Sequence, residues 1–133
     1  MSNPLLRDGP IPASVHGIIE YAAGALFIAS PLLFNFDSST ATGVSVAVGI
    51  VILLVAGTTA GPTSLVNGLA ISVHVVLDYV LAIALIAAPF VLGFSGETPP
   101  TVFFIVFGVA HLLITIATRF VPEATRSRSS ATR

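Results

Sequence analysis

The sequence predicts an all-α fold: a four-helix transmembrane bundle built from two parallel-repeat helical hairpins. Three observations predict it. Four apolar stretches run Val15–Phe34, Thr42–Ala60, Leu69–Leu92 and Thr101–Phe120, each near the ~20 residues with which a helix crosses about 30 Å of hydrocarbon. Charge is scarce, at 8% of 133 residues, while 55% are hydrophobic and mean hydropathy is +1.02; soluble domains carry roughly a quarter charged residues, so the polar surface of a water-soluble fold is missing. The first half of the chain also matches the second at an offset of 58 residues.

Each element has its own signal. The first span ends at the polar break Asn35-Phe-Asp-Ser-Ser-Thr40. The second stops at Gly61-Pro-Thr-Ser64, where glycine and proline cannot continue a helix. Third and fourth spans are divided by Gly96-Glu-Thr-Pro-Pro100, whose prolines suit the first turn of the fourth helix. Strands are the weaker reading, because runs such as Gly49-Ile-Val-Ile-Leu-Leu-Val55 lack the alternation of a barrel strand. The predicted organisation is therefore an arm over residues 1–14, a membrane domain over 15–120 with repeats at about 15–60 and 69–120, and a short polar, disordered tail over 121–133.

Charge placement predicts the orientation. Arg7 lies in the arm, Arg119 closes the fourth span and the other three arginines lie in the tail, whereas the two hairpin loops carry Asp37 and Glu97. By the positive-inside rule both termini face the cytoplasm, as an even number of spans requires. The arm pairs Arg7 with Asp8 and lacks the basic region and small-residue cleavage site of a secretory signal, so the first span is expected to be retained.

At the offset of 58, His16, Tyr21, Ile28, Ala29, Pro31 and Phe36 fall on His74, Tyr79, Ile86, Ala87, Pro89 and Phe94, and Glu20 falls on Asp78. At 59, Gly49 falls on Gly108, Leu53 and Leu54 on Leu112 and Leu113, and Thr59 on Thr118. Two hairpins starting at one face are related by a pseudo-two-fold axis along the membrane normal. Each first helix closes on a proline motif followed by an aromatic turn: Ser30-Pro31-Leu32 with Phe34-Asn-Phe36, and Ala88-Pro89-Phe90 with Gly93-Phe94. In this the chain resembles the SPW-repeat integral membrane proteins of prokaryotes over roughly residues 15–120. Neither copy has the tryptophan that names the repeat, and the second also lacks the serine. The resemblance implies a small prokaryotic inner-membrane protein with paired hairpins, and it implies no activity.

The prolines remove a backbone donor, so Pro31 and Pro89 are expected to kink or end their helices. The carbonyls they release need partners from nearby side chains such as Ser30, from a neighbouring helix or from water. A structural bend is the plainer reading; a broken-helix binding site is the sharper one.

Ionisable groups inside a membrane cost about 3 kcal/mol each on insertion scales and are functional candidates by default. Here they are His16, Glu20, His74, Asp78, His111 and Arg119, with Tyr21 and Tyr79 beside the acids. His16/Glu20 and His74/Asp78 are spaced four apart and share a helix face. Symmetry puts the two pairs at equal depth, facing one another. His111 lies near mid-depth, and Arg119 is expected at the level of the acids. Three accounts stay open. The pairs could be internal hydrogen bonds joining the hairpins, with Arg119 neutralising a carboxylate; a proton or cation binding site or relay; or a cofactor site, with His16 and His74 ligating a haem or, with Glu20 and Asp78, a divalent metal.

Other classes fall away. No cysteine means no thiol chemistry or disulfide, no lysine means no Schiff base, and a net charge of −1 offers no basic face for nucleic acid. Gly43-Val-Ser-Val-Ala47 falls one residue short of a nucleophile elbow and lies in a span, so a Ser45–His111 dyad is a poor enzyme signature. Gly57-Thr-Thr-Ala-Gly61, Gly17/Gly24 and Ala25/Ala29 read as small-residue helix contacts, and Phe103, Phe104 and Phe107 as lipid-facing or packing bulk. Four helices enclose little volume, so a homo-oligomer or a subunit of a larger membrane complex is expected, with a transporter-like oligomer for a small solute as an alternative.

Overall fold

A computed structural model describes residues 9–120. Four helices, α1 (Ala13–Leu33), α2 (Ser39–Thr58), α3 (Ile71–Val91) and α4 (Thr98–Ala117), are flanked by two-residue strands β1 (Ile11–Pro12) and β2 (Thr118–Arg119). All four helices are long and apolar enough to cross a membrane, and the chain is a multi-pass membrane protein. Residues 1–8 and the tail over 121–133, including its expected disorder, lie outside the described residues.

The repeat is visible in the helix boundaries. α1 and α3 are both 21 residues long and begin and end 58 positions apart. α2 and α4 are both 20 residues long and are offset by 59. The end of each hairpin also lies beside the start of the other. β1 and β2 pair in parallel, with Ile11 opposite Thr118, and Thr59 bridges Leu69 in the same sense. Under the two offsets these are one contact made twice. The ends of α2 and α4, the starts of α1 and α3 and the α2–α3 loop therefore share one end of the bundle, and the two hairpin turns share the other.

Pro31 and Pro89 do not break their helices. Each lies in the last turn, which runs on to Leu33 and Val91. Phe36 N–H then donates to Pro31 O at 3.0 Å and Phe94 N–H to Pro89 O at 2.9 Å, closing a Schellman turn whose left-handed residue is Asn35 (φ 52°) in one copy and Gly93 (φ 79°) in the other. The broken-helix reading is thereby corrected: a proline this near the end stops a helix without opening it. The carbonyl released by Pro31 is that of Phe27, one turn back. It accepts from Ser30 Oγ at 3.0 Å and from Ser45 Oγ of α2 at 2.7 Å. A neighbouring side chain and a neighbouring helix thus satisfy it together, as a dry interior demands.

Within a hairpin the helices meet at small residues. A Cβ on Gly49 would lie 2.6 Å from the Gly24 carbonyl oxygen, and one on Gly108 would lie 3.0 Å from that of Ala82; these are the same crossing in both copies. Gly17 packs on Thr63 of the α2–α3 loop. The other small-residue expectations fail. α2 ends at Thr58, so Gly61 lies beyond the helix in open space, and Ala25 is exposed.

Between the hairpins, toward the turn end, the core is aromatic. Phe27 meets Phe103, Phe104 and Phe107 with ring centroids at 4.7, 5.6 and 5.4 Å, and Phe103 and Phe104 are buried. They are packing bulk rather than lipid-facing groups. At that end Glu97 accepts from the backbone N–H of Asp37 at 2.5 Å and of Ser38 at 2.9 Å, capping α2 from the opposite hairpin. Outward, large apolar side chains such as Leu32 (86% exposed), Val91 (77%) and Ile83 (64%) face the surroundings, as lipid contact requires.

Gly49→Ala is expected to destabilise the bundle by about 1–3 kcal/mol, because backbone stands where the methyl must go. Gly43, with open space around it, is the matched control, and Gly43→Ala should be neutral or stabilising. Thermal unfolding in detergent compares the two.

Candidate functional site

Helix periodicity brings the polar residues together. His16 and Glu20 share one face of α1, His74 and Asp78 the matching face of α3, and the axis turns these faces toward each other. His16 Nε2 lies 3.5 Å from Glu20 Oε1 and 3.2 Å from Asp78 Oδ2. His74 Nε2 lies 3.3 Å from Glu20 Oε1 and 3.1 Å from Asp78 Oδ2. Each imidazole thus meets the acid of its own helix and that of the other. All four residues are at most 5% exposed. His111, from α4, reaches the second oxygen of Asp78, Oδ1, at 3.4 Å. Its partner position in the first hairpin is Ile52, so a third imidazole is present on one side only.

Two threonines fix the imidazoles. His74 Nδ1 lies 2.7 Å from Thr59 Oγ1, and His16 Nδ1 lies 2.8 Å from Thr118 Oγ1. Each hydroxyl has one proton, and each donates it at 2.6 Å to the carbonyl one turn back, Val55 O and Ile114 O respectively. The hydroxyl can therefore only accept from the histidine, so Nδ1 carries a proton in both rings. In the neutral rings both Nε2 atoms then present lone pairs to two carboxylates. Sequence reasoning aligned Thr59 with Thr118 as a repeat match without assigning them to the site; their coincidence at the offset of 59 was the available signal.

With both rings neutral, these four acceptor atoms repel unless something positive, a further proton or a cation, lies between them. The hydrogen bonding agrees. His16 Nε2, Asp78 Oδ2, His111 Nε2 and Thr115 Oγ1 are buried without a hydrogen-bond partner, although such orphans are rare in native interiors. One ligand atom from each of His16, Glu20, His74 and Asp78 lies within 4.8 Å of every other.

Surroundings differ on the two sides. Toward the α2–α3 loop, a cavity of about 30 Å³ is bounded by His16, Glu20, His74, Thr59 and Thr63, room for one or two waters. Phe120 closes it, with its ring 5.2 Å from that of His16. Toward the hairpin turns the Phe27 aromatic core fills the space about two helical turns further on.

The remaining candidates lie outside the cluster. Tyr21 OH donates to Thr63 O at 2.9 Å and fastens the α2–α3 loop over the cavity. Tyr79 is half-buried on α3 and makes no side-chain hydrogen bond among the described residues. Among the described residues Arg119 does not neutralise a carboxylate. α4 has ended by Thr118, and in the extended pair that follows Thr118 turns to His16 while the next residue points the other way; no ion pair of Arg119 is formed among the described residues. A haem does not fit. The His16 and His74 rings are 5.8 Å apart at 69° with carboxylates against both Nε2 atoms, and the adjoining cavity has no volume for a macrocycle.

The SPW repeat domain matches residues 14–118, and the chain belongs to that family. No curated protein and no solved structure matches the chain.

Asp78 meets three imidazoles, so its removal strands the most buried polar atoms. Asp78→Ala is expected to cost about 3–5 kcal/mol, the range for breaking a buried pair by removing one partner. His111→Phe, which gives up a single contact, should cost clearly less. Thermal or denaturant unfolding in detergent ranks them, and equal losses would contradict this weighting.

Proposed function

We propose that this small membrane protein binds an inorganic cation inside the bilayer, at the junction of its two hairpins. One observation carries the reading: Thr59 and Thr118 commit the Nδ1 protons of His74 and His16, so that in the neutral rings two lone pairs and two carboxylates face a common centre. A positive charge at that centre turns mutual repulsion into four attractive contacts, in surroundings where electrostatic interactions are strong. Because the donors come equally from α1 and α3, the same charge fastens one hairpin to the other where lipid gives no hydrophobic drive.

A relay across the membrane is the second reading the residues suggest, and the packing disfavours it. Beyond the cluster the path toward the hairpin turns runs into Phe27 and Phe104, both buried and in edge-to-face contact. A cavity with polar walls adjoins the cluster on the side of the α2–α3 loop, whereas the space of about 200 Å³ beside Glu20 and Asp78, between α2 and α3, is otherwise lined by apolar side chains and offers an ion no polar path. We infer a site loaded and emptied from one face. By the distribution of arginine that face is the cytoplasmic one.

The test is thermal unfolding of chelator-washed, tag-free protein in detergent against a panel of Na⁺, Mg²⁺, Ca²⁺, Mn²⁺ and Zn²⁺. A bound ion stabilises by about 2.7 kcal/mol at a hundred times its dissociation constant, so at least one cation should raise the midpoint by several degrees. The double variant Glu20→Gln/Asp78→Asn should lose that response. A wild-type midpoint indifferent to every cation would overturn the reading, and so would a double variant that still responds.

A further inference from the structure

The donor set is more selective than a generic cation site, and this deeper inference rests on the reading just given. We propose that the cluster is a four-coordinate site for one divalent transition-metal ion, ligated by His16 Nε2, His74 Nε2, Glu20 Oε1 and Asp78 Oδ2.

Spacing is the first reason. Ligands bonded to one ion at about 2.0–2.1 Å stand about 3.3 Å apart along the edges of a tetrahedron. Four of the six ligand–ligand separations, those of nitrogen to oxygen, are 3.5, 3.2, 3.3 and 3.1 Å, and the ligand atoms all lie within 4.8 Å of one another. Donor chemistry is the second. Calcium takes six to eight oxygens and magnesium a near-ideal octahedron of oxygens, most of them waters. Two imidazole nitrogens with two carboxylate oxygens suit zinc, cobalt or nickel instead. Charge is the third. Two carboxylates balance a divalent ion between neutral imidazoles, so the loaded site has no net charge to desolvate. A monovalent ion would leave one negative charge buried.

The outer contacts fit the same ion. Metal-bound histidines characteristically donate their other N–H to a fixed acceptor, which sets the tautomer and the ring plane. Thr59 and Thr118 do this for His74 and His16. Ligating carboxylates are in turn held by a further partner, and His111 stands against Asp78 Oδ1, the oxygen that does not ligate. Two of the proposed ligand atoms, His16 Nε2 and Asp78 Oδ2, are the buried orphans, each on a residue only 2% exposed. They aim into the cluster, 3.2 Å from one another.

Co²⁺ titration into chelator-washed, tag-free protein in detergent tests this. Saturation is expected at one Co²⁺ per chain, with the intense visible absorption of four-coordinate cobalt, bleached when Zn²⁺ displaces it. His74→Gln should abolish the band. Thr59→Val keeps the shape of the side chain and all four ligands; it should retain the band while weakening affinity about 10–100-fold, which separates positioning of the imidazole from collapse of the fold. Wild-type affinity in Thr59→Val would overturn the role given to the hydroxyl. If Mg²⁺, Ca²⁺ or Na⁺ stabilises the protein but Co²⁺ gives no four-coordinate spectrum, the transition-metal proposal falls and the cation reading stands. If no cation binds at all, both fall.

Discussion

Two imidazoles and two carboxylates, each touching both partners of the opposite sort, are the constraint around which this bundle is arranged. In lipid, helices gain nothing from hiding leucine, and within each hairpin close packing at Gly24/Gly49 and Ala82/Gly108 supplies the attraction. Between the hairpins that device is absent. What crosses the junction is the polar cluster, the aromatic core around Phe27, the Glu97 cap on α2 and the paired extended segments at the loop end. Of these, only the cluster would be prohibitively costly if left unmatched, because a buried ionisable group without a partner forfeits several kcal/mol. Relative placement of the two hairpins is therefore set largely by the need of each acid to meet both histidines.

Duplication explains how so small a chain builds such a centre. To the four-membered cluster each hairpin contributes one imidazole and one carboxyl, with one threonine at the end of its second helix. Alone, one hairpin could not surround an ion. Closing the pseudo-two-fold ring brings Thr118 at the end of the second hairpin to His16 at the start of the first, while Thr59 reaches His74 across the α2–α3 loop. The paired strands place Thr118, and the Thr59–Leu69 bridge places Thr59, so the modest β contacts hold the hydroxyls at the height of the rings.

Departures from symmetry are confined to particular layers. At the cluster, the second hairpin has His111 and Thr115 where the first has Ile52 and Ala56, which adds polar atoms around Asp78 and leaves the Glu20 side apolar. Near the turns the bias reverses. Ser30 and Ser45 bond the Phe27 carbonyl freed by Pro31, whereas the equivalent positions, Ala88 and Phe104, carry no hydroxyl. The serine and proline of the family motif thus have a joint physical role in the first copy: one removes a backbone donor and the other replaces it. The second copy keeps the proline, and Phe104 joins the aromatic packing.

Hydropathy and spacing alone settled the spans, the hairpin pairing and the meeting of His16, Glu20, His74 and Asp78, since a period of 3.6 residues and a 58-residue offset leave those side chains little choice of face. Other features depended on contacts between segments remote in sequence. Proline at the third position from a helix end reads the same as one in mid-helix until the turn after it is seen; the left-handed Asn35 and Gly93 decide that it stops the helix. Arg119 lies opposite Pro12, eight residues before Glu20 and so not at the level of the acids, because α4 ends at Ala117 and hands the inward position to Thr118. His111 has no counterpart in the first hairpin to announce it. Nor does the amino-acid order reveal which ring nitrogen of each histidine holds its proton. That was decided by two threonine hydroxyls whose own protons were already committed to helix carbonyls, a fact of three-dimensional hydrogen bonding.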